Sequence, residues 1–461
     1  MLFRTVLSIS IVILSLALCG CGAGRRPNVL LIVIDTARGD RFSFNGYDRQ
    51  TSPILDALAR DGAVYTQAYS PAPWTVPAHA SLFTGQYPSL HRTDCGSLRL
   101  PDGTVTLAEI FQGAGYRTVG YTANPWIGSS YNFQQGFDTY TEIWREVNTE
   151  TSPDTGASQT NARVLRFLRW WAENPDAQSR PFFLFINYFE PHLGYHPPEP
   201  ERSRFLRGTV APDRVARLSR LGHPDEMRYI LGRSDLTAGD MAILNDLYDG
   251  EIAYVDRRLG EVFDLLRELN LIDGTIIAVT GDHGENIGDH GMMDHKMSVH
   301  DTLLHVPLVM RYPDQIGPGQ RIDEVVQMHD LFPTLLGLTG IDPPDGVRME
   351  AVPLPGTSVD GPARAAGDPI VGEFVGPPVE FIKTMHEQFP GVDASRFDRT
   401  LVALRADGLK IHWGSDGRHQ LFDVVDDPGE LSDLATAGDG RLDEMVQRVE
   451  SWLRRPSRRD R

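Results

Sequence analysis

The chain has 461 residues, more than one hydrophobic core usually serves, so we expect either two domains or one large domain with a smaller appendage. Hydrophobic residues make up 41% of the chain and charged residues 23%, which excludes a disordered protein and a membrane bundle. The formal charge of -18, with no Lys/Arg-rich patch, excludes nucleic acid as a partner. A small anionic substrate would need a local positive centre, such as a metal ion.

The first residues predict an export signal. Arg4 precedes an apolar stretch, 6–18, that is too short to span a bilayer comfortably. The ending Leu-Cys-Gly-Cys resembles a bacterial lipobox, and Cys21, which follows the small Gly20, is the residue we expect to be lipidated. We therefore interpret residues 1–21 as a lipoprotein signal peptide, with an ordinary secretory signal as the alternative. The protein would be exported to the cell envelope and held on a membrane, on its periplasmic or outer face, by the lipid anchor only.

Buried strands alternate with helices after this signal. The run "NVLLIVIDT" (28–36) is typical of a strand buried on both faces of a parallel sheet, and a helix follows it with Ser52 as N-cap and Pro53 at its first position. Further strands are predicted at 117–123, 181–189, 275–283 and 306–313, and further helices after the Thr106–Glu109 capping box and from about 241 to 269. The order predicts an α/β fold with a mixed, mostly parallel sheet flanked by helices.

Three segments interrupt this alternation. The polar, Arg-rich stretches 142–178 and 200–239 are predicted to be insertions or lids over one face. The Pro- and Gly-rich stretch 340–367 predicts a connection between two lobes. Short strands and a final helix near 444–453 follow it, so we divide the chain into a main domain, 27–345, and a small α+β lobe, 346–461.

The strand ends supply candidate metal ligands. Ligands of an open α/β sheet collect at the carboxyl ends of its strands, where Asp35 ends the first strand and Asp282 and His283 end a later one. Two carboxylates, one imidazole and the Thr75 hydroxyl indicate a site for one divalent ion (Mn, Zn or Ca). The imidazole favours Zn or Mn over an all-oxygen Ca site.

Thr75 lies in "PWTVPAHASLFTG" (73–85) and has two interpretations that can hold together. It is an N-cap for a helix that starts at about Ala78, or its hydroxyl is a nucleophile at a helix N-terminus beside a metal. His192 follows a strand end, and Lys296 lies in a His-rich loop. Each has two interpretations. It is an ordinary surface residue, or it helps to bind the oxygens of a tetrahedral anion and to protonate a leaving group.

Taken together, the motifs resemble those of a sulfatase of the alkaline phosphatase superfamily. The matching segments include "NVLLIVIDTARGD", "PAHASLFTGQYP", "AGYRTVGYTAN", "FINYFEPHLGYHPP", "AVTGDHGENIGDHGMMDHK" and "LFDVVDDPGELSDLA". The resemblance implies a metal-dependent ester hydrolase whose C-terminal lobe has a small antiparallel sheet. It also implies roles for single residues: Asp35, Asp282 and His283 as metal ligands, Thr75 as nucleophile, and His192 and Lys296 as contacts to the anion and leaving group.

The nucleophile motif departs from the family pattern. Sulfatases have Cys or Ser, then Pro two positions on and Arg four positions on, whereas this chain has Thr75, Pro77 and His79. Formylglycine is not expected, because oxidation of Thr would give a ketone, and His79 takes the place of the Arg. Two metal-ligand positions also differ: the family's adjacent Asp pair is reduced to Asp35-Thr36, and His283 stands where the family frequently has Asn. The Lys that usually follows the "GYRT" segment is missing, and Asn124 lies nearby in the sequence. Cys95 and Arg99 also have the spacing of the Cys and Arg in the family motif. However, the segment between them lacks the Pro, and no helix is predicted to follow it.

Three functions remain open. The first is a hydrolase of sulfuric esters, or of related phosphate or phosphonate esters, that uses Thr75 on a small anionic ester or a sulfated or phosphorylated glycan. The second is a phosphodiesterase or phosphoryl-headgroup transferase that acts on envelope glycans or lipids, since Thr nucleophiles occur in such relatives of the superfamily. The third is a non-catalytic lipoprotein that binds an anion.

Overall fold

The computed structural model describes residues 26–147, 152, 154–362, 364–365, 367–377, 379–438 and 440–455, without the side chains of 379 and 380. Cys21 and the signal peptide lie outside the described residues, so cleavage and lipidation stay predictions. Among the described helices, none is both long enough and apolar enough to cross a membrane.

A mixed sheet forms the centre of the main domain. The strands in chain order are β1 (Asn28–Ile34), β2 (Ala63–Tyr65), β3 (Ala68–Tyr69), β4 (Arg117–Thr122), β5 (Thr139–Glu142), β6 (Phe182–Tyr188), β7 (Thr275–Gly281), β8 (Asn286–Ile287), β9 (Met293–Asp294), β10 (His305–Val306), β11 (Leu308–Arg311), β12 (Gln320–Ile322), β13 (Val326–Gln327), β14 (Ile370–Phe374), β15 (Leu401–Ala406), β16 (Leu409–Gly414) and β17 (Gln420–Asp423). Within the described residues, eight of them form one sheet in the order β12-β2-β11-β7-β1-β6-β4-β5.

The core strands of this sheet are parallel. β1 pairs in parallel with β6 and with β7, and β4 pairs in parallel with β6, while β11 runs antiparallel to β7. Every residue of β1, β6 and β7 is buried, as expected for strands covered on both faces. The predicted mixed, mostly parallel α/β sheet is therefore confirmed.

Helices cover the sheet. In chain order they are α1 (Pro53–Arg60), α2 (Thr75–Thr84), α3 (Pro88–His91), α4 (Leu107–Gly113), α5 (Ala157–Glu173), α6 (Pro175–Gln178), α7 (Glu201–Phe205), α8 (Pro212–Leu218), α9 (His223–Ile230), α10 (Ala238–Glu268), α11 (Asp301–Leu304), α12 (Leu331–Leu338), α13 (Val379–Gln388) and α14 (Arg441–Leu453). The predicted Thr106–Glu109 capping box opens α4. Ser52 is the N-cap of α1, but its hydroxyl contacts the Asp56 carboxylate instead of a backbone N–H of the helix.

The segment 142–178 corrects the sequence analysis. Its longest element is α5, a helix of 17 residues that packs against α10 through a buried face with Val164, Leu168 and Trp171. Its Arg residues lie largely on the opposite face, and they made the helical spacing of the apolar residues hard to recognise in the sequence. α5 is therefore part of the core and not a lid.

The second predicted insertion and the C-terminal lobe agree better with the sequence. Residues 200–239 carry the short helices α7, α8 and α9, which pack beside α10 and β9. In the lobe, β14, β15, β16 and β17 form the predicted antiparallel sheet. α14 closes its core with Val449 and Trp452. The domain boundaries at 27, 345 and 346 stay predictions.

Candidate active site

The candidate site lies at the carboxyl ends of four adjacent parallel strands, β7, β1, β6 and β4. Ile34 and Gly281 are register partners, so the next residues, Asp35 and Asp282, meet at the sheet edge. Asn124 lies just beyond β4, and Asn187 near the end of β6. The parallel order of these strands is what brings residues far apart in sequence to one place.

Asp35, Asp282 and His283 offer ligand atoms that all lie within 4.8 Å of one another, and all three residues are fully buried. Asp35 Oδ1 and Asp282 Oδ2 have no hydrogen-bond partner among the described residues. Backbone N–H groups of Thr36 and His283 donate to the other Asp282 oxygen, Oδ1, over 3.0 and 2.8 Å. Two unsatisfied buried carboxylate oxygens beside an imidazole fit a divalent cation.

The electrostatics of these groups point the same way. Burial raises the pKa of Asp35 to about 6, and burial together with Asp35 raises the pKa of Asp282 well above its ordinary value. Burial, and then the neighbouring His295, lower the pKa of His283 well below its ordinary value, so this imidazole is neutral, the form that binds metals. A cation between the carboxylates would favour their charged forms.

The His283 ring is oriented for ligation. Its Nδ1 lies 2.9 Å from the Gly284 carbonyl oxygen, which indicates that Nδ1–H donates to that oxygen. Nε2 is left to face the site, 3.3 Å from Thr75 Oγ1 and 3.3 Å from Asp282 Oδ2. A backbone acceptor on the far nitrogen is the usual support of a metal-binding histidine.

Thr75 is the first residue of α2, and Trp74 is the N-cap. The expectation that Thr75 caps a helix from about Ala78 is therefore wrong, because the helix begins three residues earlier. The Thr75 side chain is 2% exposed, and Asn124 Nδ2 donates to its Oγ1 over 3.4 Å. The hydroxyl faces the metal-ligand candidates at the positive end of a ten-residue helix.

His79 lies behind the nucleophile candidate. Its Nδ1 is 3.0 Å from the Thr75 backbone oxygen and 3.5 Å from Asp282 Oδ2, and its ring meets Phe83 and Phe185 edge-on. Burial lowers its pKa to about 4, so the ring is neutral at pH 7. His79 therefore does not supply the positive charge of the Arg that sulfatases have at this position.

A cavity of about 490 Å³ opens at Thr75. Its polar lining residues include Thr75, His192, His223, His295 and Lys296. Its apolar lining residues are Trp74, Leu98, Trp126, Pro224, Met227, Met297, Phe374, Pro377 and Phe381. The cavity thus combines a few polar groups with extensive apolar walls, a composition typical of small-molecule sites.

Cys95 also lines this cavity. It lies in a turn between the paired residues Asp94 and Ser97, and burial followed by Asp94 raises its pKa to about 12. The residue is a protonated thiol in a turn, without the helix N-terminus that the sulfatase nucleophile motif has.

The predicted anion contacts differ in character. The His192 ring stacks on Phe189 with centroids 4.4 Å apart, and burial lowers its pKa to about 3. It is a neutral group at pH 7, able to donate one hydrogen bond. Lys296 is half-buried and lines the cavity.

Sequence reasoning named His295 only as part of a His- and Lys-rich loop that could bind an anion, and it assigned no role to Asn124. Burial disfavours a charged His295, yet contacts with Asp294 and Glu285 raise its pKa well above the ordinary value, so it adds a cation 4.5 Å, ring centroid to centroid, from His283. Asn124 Nδ2 donates to Asp35 Oδ2 over 2.6 Å, besides its contact with Thr75. The signal for Asn124 was available, since it follows the end of a predicted strand. For His295, the sequence offered no signal beyond its position in the His-rich loop.

Comparison with known proteins agrees with this arrangement. The family model described as Sulfatase matches residues 27–341. The chain belongs to the sulfatase family. Arylsulfatase K of Bos taurus is 24% identical over 466 residues, covering 93% of this chain and 82% of that protein, and the choline-sulfatase of Rhizobium meliloti (strain 1021) is 26% identical over 469 residues, covering 91% and 85%. The enzyme is therefore an ester hydrolase of this family.

Among solved structures, the phosphonate monoester hydrolase of Agrobacterium radiobacter superposes with a TM-score of 0.72 at 24% identity, covering 93% of this chain and 95% of that one. A 2-O GAG sulfatase superposes with the same TM-score at 19% identity, covering 95% and 93%. These likenesses confirm the fold.

Proposed function

We propose that this sulfatase-family protein is a metal-dependent hydrolase of anionic monoesters in which the unmodified Thr75 hydroxyl is the nucleophile. The observation that carries the proposal is the position of Thr75 Oγ1. It lies on the cavity, at the N-terminus of α2, and 3.3 Å from the Nε2 that His283 turns toward the site.

One divalent ion on Asp35, Asp282 and His283 would supply positive charge to the ester oxygens and to the Thr75 oxygen. The imidazole among these ligands favours Zn or Mn over Ca. Asn124 would hold both Asp35 and Thr75 in place through its single amide nitrogen.

The reaction divides into two displacements. In the first, the Thr75 hydroxyl loses its proton to cavity water, Oγ1 bonds to sulfur or phosphorus, and the bond to the alcohol oxygen breaks. The Lys296 ammonium gives the departing oxygen a proton, while neutral His192 donates a hydrogen bond to the anion. In the second, water attacks the same central atom, which releases the Thr75 hydroxyl and the inorganic or phosphonic acid anion, and a water proton restores Lys296.

The cavity walls favour an apolar alcohol part of the substrate. Sugar hydroxyls need polar partners, whereas Trp74, Trp126, Met227 and Phe374 offer apolar surface. The volume of about 490 Å³ suits one aromatic ring with its ester group. Of the two predicted substrate classes, the small anionic ester therefore fits better than the sulfated or phosphorylated glycan.

Phosphorus is the second candidate for the central atom. A formylglycine hydrate expels sulfate by eliminating to an aldehyde, but a Thr ester has no such route and requires a second attack at sulfur or phosphorus. Phosphorus accepts that attack more readily. The likeness to two phosphonate monoester hydrolases, with TM-scores of 0.72 and 0.70, supports this alternative.

The test is an assay of the purified full-length protein loaded in turn with Mn, Zn and Ca. Aryl sulfate, aryl phosphate monoester, phosphodiester and phosphonate substrates would share one leaving group. Metal-dependent turnover of a monoester supports the proposal, and the preferred ester identifies the central atom. A phosphodiester as the best substrate would favour the phosphodiesterase, and no hydrolysis at all would favour the anion-binding lipoprotein.

We also propose export and lipid anchoring through Cys21, from the lipobox-like ending of the apolar stretch. Replacing Cys21 with Ala should move the protein from the membrane fraction to the soluble fraction. An unchanged membrane fraction in that variant would contradict the anchor.

A further inference from the structure

His223 is a cavity residue to which neither the family motifs nor the proposed reaction assign a role. It is the first residue of α9, in the lid segment 200–239, and it lines the same cavity as Thr75 and Lys296. Its side chain is 58% exposed, so it lies toward the solvent side of the cavity, whereas Thr75 is buried.

The ring of His223 is held by two buried carboxyl groups. Its Nδ1 lies 2.8 Å from Glu226 Oε2 and 3.2 Å from Asp294 Oδ2. The side chains of Glu226 and Asp294 are 1% and 0% exposed. Because both contacts use Nδ1, the ring orientation is fixed while Nε2 has no partner among the described residues.

The surroundings of His223 carry an excess of positive charge at pH 7. Contacts with Asp294 and Glu226 raise its pKa to about 9. Burial, and then Asp294, raise the pKa of Glu226 to about 8, so that carboxyl is mostly neutral. Asp294 therefore faces the cations His223 and Lys296, both of which line the cavity, in a chain whose net charge is -18.

We propose that His223 binds a second anionic group, a carboxylate or a sulfate, on the alcohol part of the ester. This inference rests on the proposed function for the ester group itself. In the proposed reaction the ester anion already has His192, Lys296 and the divalent ion as partners. A charged group farther out would otherwise meet mainly apolar walls, and His223 presents its free Nε2–H there. The substrate class is thus an aromatic or similarly apolar ester with two negative groups.

Binding of inert sulfonates to the full-length protein tests this inference without any turnover. Isothermal titration calorimetry would compare benzenesulfonate with 3- and 4-sulfobenzoate. In the wild type, at least one sulfobenzoate should bind about tenfold more tightly than benzenesulfonate, as expected for one charge-assisted hydrogen bond. H223Q should lose this preference, because Gln keeps a polar side chain but not the charge, and H223K should restore part of it.

R228Q is the matched control. Arg228 is exposed on the same helix and pairs with Asp225 outside the cavity, so this variant removes one positive charge and should keep the preference. Equal affinity for all ligands in the wild type, no binding of any of them, or a preference that survives in H223Q would each overturn the inference. The hydrolysis assay with the ester panel is a separate experiment. Hydrolysis of an ester without tighter binding of a sulfobenzoate would reject only this inference. Tighter binding of a sulfobenzoate without hydrolysis of any ester would reject only the proposed function.

Discussion

Two regions of the molecule contribute to the cavity in different ways. Asp35, Asp282 and His283 follow buried parallel strands. Backbone groups help to fix the Asp282 and His283 side chains, and the Asn124 amide holds the Asp35 carboxylate. His223, by contrast, comes from a short lid helix and is held by side-chain contacts at a largely exposed position. In the function that we propose, the rigid sheet edge would carry the bond chemistry, whereas the lid segment would select the substrate.

The largest effect should come from removing the nucleophile at the rigid edge. T75A should lower kcat by about 10⁴-fold or more, because it removes the attacking hydroxyl, while the metal content stays unchanged. Turnover and elemental analysis of the same preparation would show both. T84S, on the same helix, keeps its hydroxyl near the Ala80 carbonyl and should retain full activity. Wild-type turnover by T75A would refute the nucleophile assignment.

Removing a metal ligand should have the next largest effect. D35N should lose the bound ion and lower activity by at least about 10³-fold, more than the 10–100-fold typical of groups that only support a ligand. Chelation of the wild type should do the same and be reversed by Mn or Zn. The exposed D102N is the control. Full activity of D35N with no metal bound would show that the ion takes no part in the reaction.

Asn124 tests whether the supporting contacts at the sheet edge matter. N124A should lower kcat by about 10- to 100-fold through loss of the hydrogen bonds to Asp35 and Thr75, with KM little changed. Steady-state kinetics with the best ester of the panel would measure it. A change confined to KM would instead make Asn124 a substrate-binding residue.

A buried histidine of α3, His91, and the lid residue His223 should respond to pH in opposite directions. Burial lowers the pKa of His91, which supports α2 through Ser81 Oγ at 3.0 Å, to about 3. Its contribution to stability is present above the unfolded pKa near 6.5 and is lost as the pH falls, by about 2 kcal/mol between pH 6.5 and 5. The pKa of His223 is raised, so its contribution is present below pH 6.5 and is lost as the pH rises through about 9.

Denaturant unfolding of H91Q and H223Q across pH 5–9 would measure these contributions. H91Q should reduce the loss of stability below pH 6.5, and H223Q should reduce the loss above it. The same pH dependence in both variants would contradict the opposite signs.

The smallest effect should come from the lid wall. M227A removes apolar surface from the cavity and should raise KM for an aryl ester by about fivefold with kcat within about twofold, because it weakens ground-state and transition-state binding equally. R228Q on the same helix should leave both constants unchanged. A fall in kcat with constant KM would show that the lid takes part in the chemical step, which would contradict the division of roles between the two regions.

The sequence predicted the sheet edge better than the lid for physical reasons. Strands buried on both faces are continuous apolar runs, so β1 and β7 and the polar residues that follow them could be read directly. Short lid helices leave much of their surface exposed, so they give weak periodic signals. The same weakness misassigned α5, whose exposed Arg residues obscured a buried apolar face.

Within the site, the sequence could place residues but not their protonation. His79 and His192 are neutral because they are buried, and His295 is charged because Asp294 and Glu285 adjoin it. Those neighbours come together only in the fold. The N-cap interpretation of Thr75 failed for a local reason, since α2 begins with Thr75, and Pro77 is tolerated in its first turn.

Peptide mass spectrometry of the protein, acid-quenched during turnover of the best ester, tests the central claim most directly. The account predicts an unmodified Thr75 in the resting protein and, during turnover, a peptide that contains Thr75 and carries the mass of the transferred sulfuryl, phosphoryl or phosphonyl group. That adduct should be absent in T75A. Turnover with no adduct on Thr75, or with the adduct on another residue, would contradict the account.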